Sequence, residues 1–246
     1  MNKLLPVITL AILTACGGGG QKAVDAEEAK DVAEATADAV MMSVDTSQSV
    51  VTWIGSKPTG KHNGIIPITE GVVTAKGGEL ESASFTFSIP DLKIYDMEPE
   101  NEFYGKLYGH LMSEDFFAAD SFPNASFELV SVAAYDSSAV SDQEQFETDN
   151  TPATLSEFMV ENPTHLVTGN LTMRGTTKSI TFPAKVAMED GSIKTDAKFN
   201  IDRTDWGLMY GDESSVADKA KDKFIYNTVN VGISFVANAA ADEPAM

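Results

Sequence analysis

The sequence predicts an all-β fold, an eight-stranded antiparallel β-barrel with one or two short capping helices. Two observations carry this prediction: apolar side chains recur at every second position along several segments, and turn signals containing glycine separate those segments. No alternation of strand and helix patterns of the kind that builds a parallel sheet is present. Closure of the sheet removes edge strands that invite aggregation, and a two-sheet sandwich is the alternative.

Four segments show the alternation most clearly. In the first, Phe85, Phe87 and Ile89 alternate with serine and threonine. The other three cover residues 179–188, 193–201 and about 224–236. Four weaker strands are predicted at residues 50–54, 64–74, 126–135 and 166–173. Each strand is expected to bury one face and to expose the other, because successive side chains of a strand point to opposite sides.

Helical spacing occurs twice between the predicted strands. Phe103, Leu107 and Leu111 recur every four residues, which predicts an amphipathic helix over residues 100–112 that caps one end or edge of the sheet. A second short helix is predicted within residues 136–165, a stretch with seven acidic residues and no Lys or Arg. This acidic stretch is expected to leave the barrel as an excursion.

The first 16 residues resemble a bacterial lipoprotein signal. A positive start at Lys3 precedes ten mostly apolar residues, fewer than the roughly 20 that a membrane span needs. The run ends in Leu-Thr-Ala-Cys, which resembles the lipobox in which the cysteine is acylated. We therefore predict a signal peptide over residues 1–15, lipid attachment at Cys16 and a flexible acidic tether over residues 16–43. The folded domain is expected over residues 44–237, with a disordered tail at 238–246.

The charge and the cysteine content exclude several classes of function. The 246 residues contain 37 Asp and Glu against 17 Lys and Arg, a formal net charge of -20. Such a surface repels phosphate backbones and anionic lipid headgroups, which argues against nucleic acid binding or electrostatic binding to a membrane surface as the main function. One cysteine in the whole chain excludes an internal disulfide framework and a zinc site built from several cysteines.

The common signatures of enzymes are absent from the sequence. It contains no Gly-x-Ser-x-Gly elbow and no His-Glu-x-x-His motif, and His62, His110 and His165 lie in separate segments without metal-ligand spacing. We predict that the protein is not an enzyme and that it requires no cofactor or metal. Arg203 lies between two acids at the end of a strand, which favours a salt-bridge corner that closes the barrel over a ligand contact.

Three segments, in order, carry a resemblance to one family. Residues 109–127 contain a His-Leu pair, an Asp-Phe-Phe triplet and a Phe-Pro pair followed by phenylalanine. Residues 167–180 contain Gly-Asn-Leu-Thr-Met-Arg-Gly-Thr-Thr-Lys, and residues 199–208 read Phe-Asn-Ile-Asp-Arg-Thr-Asp-Trp-Gly-Leu. Together these segments resemble the YceI-like proteins, a secreted bacterial group, and the likeness extends over roughly residues 44–237.

The resemblance implies a lipocalin-like barrel that binds a polyisoprenoid or an isoprenoid quinone in its lumen. The lumen faces are expected at Phe85, Phe87, Phe182, Val186, Phe199, Ile201, Val231 and Ile233. The helix is expected to close the mouth with Tyr104, Tyr108 and Leu111. The candidates for contact with a polar headgroup are His62, His110 and Arg203. Alternation alone does not decide whether these apolar faces surround a lipid or only one another.

The expected function is to bind, sequester or carry such a lipid at the cell envelope. Gly17 rather than Asp follows Cys16, which favours a lipid anchor in the outer membrane, facing the periplasm. The alternative is an envelope lipoprotein with a barrel filled by its own side chains, acting in stress or as a protein-interaction module whose acidic excursion docks a basic partner. The sequence leaves a homodimer open.

Overall fold

The computed structural model describes residues 23–140, 142, 146–189, 191–215 and 224–239. Within these residues, no helix is long and apolar enough to cross a bilayer. The strands are β1 (Glu27–Glu28), β2 (Val40–Val44), β3 (Val50–Lys57), β4 (Gly60–Lys76), β5 (Glu79–Ser88), β6 (Lys93–Ile94), β7 (Asn124–Ala134), β8 (His165–Met173), β9 (Thr176–Glu189), β10 (Ser192–Asp202) and β11 (Thr228–Ala239). The α-helices are α1 (Glu102–Met112) and α2 (Leu155–Phe158), and short 3-10 helices cover Ser137–Ala139, Arg203–Trp206 and Glu213–Ser215.

Eight strands form a closed antiparallel barrel in the order β3, β4, β5, β7, β8, β9, β10 and β11. The barrel closes where β11 pairs with β3, which places Ile233 opposite Val51 and Val231 opposite Trp53. This arrangement confirms the predicted eight-stranded barrel and excludes the sandwich. The helix α1 lies within the predicted range of residues 100–112.

β2 and β3 occupy one position in the barrel wall, because both lie between β4 and β11. A turn at residues 45–49 interrupts them, and the Asp45 carboxylate accepts hydrogen bonds from Ser47 and Gln48 in that turn. The two-residue β6 pairs with β4 at Gly64, where a Cβ would lie 1.8 Å from the Lys93 carbonyl oxygen. Only glycine permits this close approach of the two backbones.

The connections between the strands lie at two ends of the barrel, since neighbouring strands run in opposite directions. We call one of them the α1 end. It carries the connections over residues 58–59, 89–123 and 174–175, and the described residues 203–215 and 224–227. The opposite end carries the turns at residues 45–49 and 77–78 and the step from β9 to β10, and the chain that follows β7 also leaves the barrel there.

Residues 24–39 lie along the outside of the barrel, so the predicted flexible tether is wrong for this part of the chain. β9 and β10 pair only as far as Ala184 and Ala197, and Pro183, which follows in this ladder, has no N–H to donate. β1 fills the gap that results by pairing with β9 at residues 178–179. The Val24 N–H donates to the Asn200 carbonyl of β10 at 2.8 Å.

The Asn170 side chain anchors the same segment farther along. Its carbonyl oxygen accepts the Lys30 N–H at 3.0 Å, and its amide nitrogen donates to the Lys30 carbonyl at 2.7 Å. Asn170 is 4% exposed although it points away from the lumen. Because backbone groups and one buried amide hold the segment, its polar composition gave no sign of this docking.

The acidic excursion also lies against the outside of the barrel, and α2 lies within it, packed on β10. The Ala153 carbonyl accepts hydrogen bonds from the side chains of Asn200, at 2.9 Å, and Asn230, at 3.0 Å. These two asparagines face each other across β10 and β11 and are almost fully buried. The excursion therefore supplies the partners that two buried amides on the outer face require.

Several acids of the excursion act as local caps. Asp136 accepts the Ser138 N–H at the start of a 3-10 helix, and Asp142 accepts the Ser156 N–H in the first turn of α2. Glu157 forms a capping box with Thr154. These hydrogen bonds explain part of the acidic composition by local structure.

Both ends of the final strand differ from the prediction. β11 begins at Thr228 rather than near residue 224, because the Tyr226 N–H turns away to the Ser56 carbonyl, at 2.9 Å, and the Ile225 N–H to the Gly211 carbonyl. The strand continues to Ala239, so residues 238 and 239 are not part of a disordered tail. Residues 240–246, the predicted signal peptide and Cys16 lie outside the described residues.

We expect Asn170→Ala to release the segment over residues 24–36. The change leaves the Lys30 N–H and carbonyl without their partner, which costs about 1 to 3 kcal/mol when such groups stay buried. Amide hydrogen exchange should show faster exchange over this segment than in the barrel strands.

The matched control is Glu28→Ala, which removes the exposed pair between Glu28 and Lys178 in the same segment. This variant should exchange like the wild type, since exposed pairs contribute little. Equal exchange in the wild type and Asn170→Ala would contradict the anchoring role of Asn170.

Candidate functional site

A cavity of about 150 Å³ lies in the half of the lumen nearest the α1 end. All eight barrel strands contribute to its wall, and the surface that faces the cavity is apolar. The strand residues that line it are Val51, Trp53, Gly55, Ile66, Phe87, Ala125, Phe127, Leu171, Met173, Ile180, Phe199, Ile201, Val229, Val231 and Ile233. The connections at the α1 end add Ile89, Leu92, Leu111, Phe116, Phe117, Arg203, Leu208 and Ile225.

Six phenylalanines fill much of the lumen beyond this cavity, and we call them the phenylalanine plug. They are Phe85, Phe87, Phe127, Phe182, Phe199 and Phe235. The rings of Phe182 and Phe199 stack with centroids 4.2 Å apart, and those of Phe85 and Phe235 are tilted at 4.9 Å. Such ring pairs add to the stability that burial of the rings provides. The lumen is thus partly open and partly filled.

The plug depends on a glycine in β8. A Cβ at Gly169 would lie 2.0 Å from the Phe127 ring, so any larger residue would displace that ring. A second void of about 40 Å³ lies among the plug residues and extends toward the opposite end, where Leu80, Leu129 and Thr195 line it. Phe87, Phe127 and Ile233 line both voids. The plug therefore sets the depth of the main cavity.

The structure brings most of the predicted lumen residues together. The main cavity is lined by Phe87, Leu111, Phe199, Ile201, Val231 and Ile233. Phe85 and Phe182 belong to the plug and line the smaller void. Val186 packs against the core from β9 but is not among the residues that line either void.

The helix α1 and the chain that follows it cover the cavity. Leu111 of α1 lines the cavity, whereas Tyr104 and Tyr108, which were expected at the mouth, are not among its lining residues. Both tyrosines pack against the core, and the Tyr108 hydroxyl donates to the Pro90 carbonyl at 2.7 Å. The Asn101 side chain accepts the Phe103 N–H and begins the helix. The tyrosines therefore hold the cover in place.

Arg203 forms a buried corner beneath this cover. Its guanidinium donates to the backbone carbonyls of Tyr226, Ile225 and Leu208. Burial lowers the pKa of Arg203, which nearby Asp202, Asp212 and Glu213 counteract. Backbone carbonyl groups of the α1 end hold the guanidinium at this corner, the predicted salt bridge stays a prediction, and the apolar part of the side chain reaches the cavity.

His62 and His110 lie together in a groove on the outer side of α1, separate from the cavity. His62 hydrogen-bonds to Asp96 at 2.7 Å, and His110 contacts Asp115 at 3.2 Å. The His110 ring also packs edge-on against Phe116, which lines the cavity. His62 and His110 thus share this groove, whereas Arg203 lies at its own corner, against the same Phe116 ring that His110 contacts.

Two polar atoms in the lumen wall lack a hydrogen-bond partner among the described residues: the indole nitrogen of Trp53 and the hydroxyl of Thr195. Trp53 lines the main cavity and Thr195 the smaller void. Buried polar groups are almost always hydrogen-bonded, so these two are exceptions. Neither atom contributes to the surface that faces its void, which is apolar in both cases, so either would meet a ligand only if the wall moved.

The described part of the chain contains no group of three or more His, Cys, Asp or Glu residues that could hold a metal ion. In chemical terms the lumen offers dispersion contacts and hydrophobic burial. These are the requirements of a site that binds an apolar molecule with few directional contacts.

Some lining residues were missed in the sequence. Val51 and Trp53 alternate within a predicted strand, so their inward orientation was available from the pattern. Phe116, Leu208 and Ile225 come from connections, where no periodicity indicates direction. Only the path of the chain across the α1 end places them in the wall.

The family of the protein follows from comparison with known sequences. Residues 42–237 match the family described as the YceI-like domain. The chain belongs to the YceI-like family. The resemblance found in the sequence is thereby confirmed, and the match begins within β2, close to the predicted boundary at residue 44.

Two solved structures share the fold of this YceI-like protein. BcnA of Burkholderia cenocepacia has a TM-score of 0.53 and 18% sequence identity, with coverage of 79% of this chain and 99% of BcnA. A polyisoprenoid binding domain from Saccharophagus degradans, implicated in plant cell wall breakdown, has a TM-score of 0.50 and 15% identity, with coverage of 81% and 99%. Likeness at these identities shows the fold alone. No curated protein matches the chain.

We expect Thr195→Val to raise the free energy of unfolding by about 1 to 2 kcal/mol, because valine keeps the shape and removes a buried hydroxyl that has no partner. Chemical denaturation measures this change. The matched control is Thr74→Val at a similarly buried threonine, 6% exposed against 5%, whose hydroxyl bonds to Ser82. The control should be destabilised. A loss of stability in both variants would show that Thr195 has a partner in solution.

Acid should weaken the contact between β4 and the chain after β6 through Asp96. Partial burial raises the pKa of Asp96, but hydrogen bonds from the Asn63 N–H and from His62 outweigh it and leave the pKa below its ordinary value. A carboxyl group whose pKa is lowered in the folded state stabilises the fold at pH values above its ordinary pKa. This stability is lost as the pH falls through the pKa of the folded state.

The variant Asp96→Asn tests this expectation. At pH 6 the free energy of unfolding of the variant should be lower than that of the wild type. This difference should become smaller as the pH falls below the ordinary pKa of aspartate. Thermal unfolding followed from pH 6 to pH 2.5 measures this. A difference that does not change with pH would assign the effect to shape rather than charge.

Proposed function

We propose that this YceI-like protein binds one isoprenoid lipid, tail first, in the lumen of the barrel at the cell envelope. The observation that carries the proposal is an apolar cavity to which all eight strands contribute. Membership of the family and the likeness to a polyisoprenoid binding domain from Saccharophagus degradans agree with this ligand class.

The physical basis is hydrophobic burial without directional contacts. Removal of each CH₂-sized unit from water contributes about 0.8 kcal/mol, so a flexible apolar chain gains affinity along its length. A cavity of about 150 Å³ is the size that admits a benzene ring, whereas sites for larger ligands occupy about 300 to 1,000 Å³. A chain of several isoprene units therefore requires the cover at the α1 end or the plug to move.

The headgroup we favour is uncharged and bears an oxygen acceptor, as in a quinone or an alcohol. The cavity surface is apolar, and the indole N–H of Trp53, which has no partner among the described residues, would reach a ligand oxygen only after the wall moves. The Arg203 guanidinium already donates to three carbonyls, and the net charge of the chain disfavours a bare pyrophosphate. These two facts support a quinone over a polyprenyl pyrophosphate.

We further propose that the protein is a lipoprotein anchored through Cys16 and located in the outer membrane, facing the periplasm. The Leu-Thr-Ala-Cys sequence after a short apolar run supports the anchor, and Gly17 supports the outer membrane. Metabolic labelling with a palmitate analogue should mark the wild type and leave Cys16→Ser unlabelled.

A role in binding rather than catalysis fits the apolar surface of the cavity. The alternative, an interaction module with a filled barrel, draws support from the phenylalanine plug. Its acidic excursion, however, bonds to its own barrel through Ala153, and several of its acids serve as caps. We therefore place lipid binding first.

Native mass spectrometry tests the proposal on the chain from Gly17 onward, exported to a bacterial periplasm with a cleavable signal peptide. The chain must retain residues 24–39, since they pair with the barrel. We expect a lipid adduct of isoprenoid mass at one per chain. Val231→Phe should reduce this occupancy at least about tenfold, because the added ring fills the cavity that the lipid needs.

The matched control is Val72→Phe, which adds the same volume on the outer face of β4, where Val72 is exposed. Its occupancy should equal that of the wild type. Lipid binding would be contradicted if the wild-type chain carries no adduct after purification and still carries none after incubation with an isoprenoid quinone and with a polyprenol. That result would favour the filled barrel.

A further inference from the structure

The α1 end of the barrel carries a patch of exposed apolar side chains. Tyr95 is 61% exposed, Phe103 58%, Met209 50%, Tyr210 47% and Phe122 37%. We call these five residues the end patch. Single exposed apolar residues are ordinary, but several on one face indicate a surface that meets another apolar phase.

The end patch lies over the lipid cavity. Phe103 is in the first turn of α1, whose last turn supplies Leu111 to the cavity wall. The Tyr210 ring lies 5.7 Å from Phe116, another wall residue. Met209 directly follows Leu208, which also lines the cavity. The patch is thus the outer surface of the cover that a lipid has to pass.

The chain begins its path along the barrel near the same end. Val24 bonds to Asn200, two residues before β10 ends at the α1 end, and β1 pairs with the start of β9. The eight peptide steps between Cys16 and Val24 span at most about 29 Å, however they are arranged. An acyl chain on Cys16 would therefore hold the α1 end close to a bilayer.

The charges around the patch suit a bilayer of low net charge. Lys57, Lys61, Lys93 and Lys106 lie on connections or strand ends at the α1 end, and the Lys106 ammonium lies 4.9 Å from the Phe103 ring centre. Acidic side chains outnumber these lysines at the same end, since residues 89–123 alone contain Asp91, Asp96, Glu98, Glu100, Glu102, Glu114, Asp115 and Asp120. This excess of acids disfavours an anionic bilayer and favours a zwitterionic one. Tyrosine and other aromatics favour the headgroup layer of membranes.

We propose that the end patch docks on the surface of a phospholipid bilayer, so that the cover of the cavity faces the membrane from which the lipid enters. This inference rests on the proposed function, which it extends from what is bound to where the lipid passes. The docked segment over residues 24–39 fixes the orientation, because it joins the anchor to the α1 end of the barrel.

Flotation with phosphatidylcholine vesicles tests the docking on the chain from Gly17 onward, which has no acyl anchor and no cysteine. The double variant Phe103→Ser, Met209→Ser should bind vesicles at least about tenfold more weakly than the parent chain, since each residue loses apolar burial. The matched control is Met41→Ser, Met188→Ser, which removes two comparably exposed methionines from the barrel wall away from the α1 end and should bind like the parent.

A second measurement reports the orientation directly. Met209→Cys and Met188→Cys each create a single cysteine in this chain, which can carry a polarity-sensitive fluorophore. The label at position 209 should shift to the blue when vesicles are added, and the label at position 188 should not. Equal blue shifts of the two labels would overturn the proposal. So would flotation in which the parent chain does not bind vesicles, or in which the double variant binds them as well as the parent chain does. Self-association through the patch, seen as a dimer in sedimentation that Phe103→Ser, Met209→Ser abolishes, would overturn it in favour of a second copy.

A parallel assay separates this proposal from the proposed function. An isoprenoid quinone with two isoprene units, added without vesicles, should quench the tryptophan fluorescence of the chain, which arises from Trp53 and Trp206, equally in the parent chain and the double variant. Its extraction from vesicles should be slower for the double variant. If the quinone does not quench the fluorescence but the chain still binds vesicles, quinone binding is contradicted and the docking surface is supported. If the quinone quenches the fluorescence but the chain does not bind vesicles, lipid binding is supported and the docking surface is contradicted.

Discussion

The pairing of β11 with β3 is the constraint on which the rest of the structure depends. It places Val231 and Ile233 opposite Trp53 and Val51 and joins the last barrel strand to the first. In a closed barrel every second side chain of each strand must face the same interior, and a slip of one residue would move each inward set to the outside. The cavity, the plug and the wall therefore share one register.

Within that closed wall, the phenylalanine plug decides what the lumen can accept. The stacked rings of Phe182 and Phe199 fill the part of the lumen toward the opposite end, together with the Phe127 ring, for which Gly169 leaves room. A narrow apolar cavity remains near the α1 end. A YceI-like barrel of this kind is neither an empty tube nor a solid core. Because the surface of the cavity is apolar, its selectivity has to arise mainly from the shape of the cavity.

The outside of the barrel is also covered, which is unusual for strands that alternate between apolar and polar residues. The chain before β2 and the acidic excursion both lie on the outer face, and the amides of Asn170, Asn200 and Asn230 are buried there. Each buried amide has carbonyl or N–H partners in the covering chain, so the cost of removing it from water is offset. The same coverings bring the start of the described chain to the α1 end, beside the cover of the cavity.

By itself, the sequence determined the all-β class, the helix α1 and most inward faces, because side-chain periodicity encodes which face of a strand or helix is apolar. It also determined the family, through motifs that stand in the connections and at the strand ends. Only the tertiary structure decided that residues 24–39 dock, that Phe116, Leu208 and Ile225 complete the cavity wall, and that His62 and Arg203 lie apart. These features depend on backbone hydrogen bonds and on the path of irregular chain across one end of a closed barrel, and neither follows from the spacing of residue types along the chain.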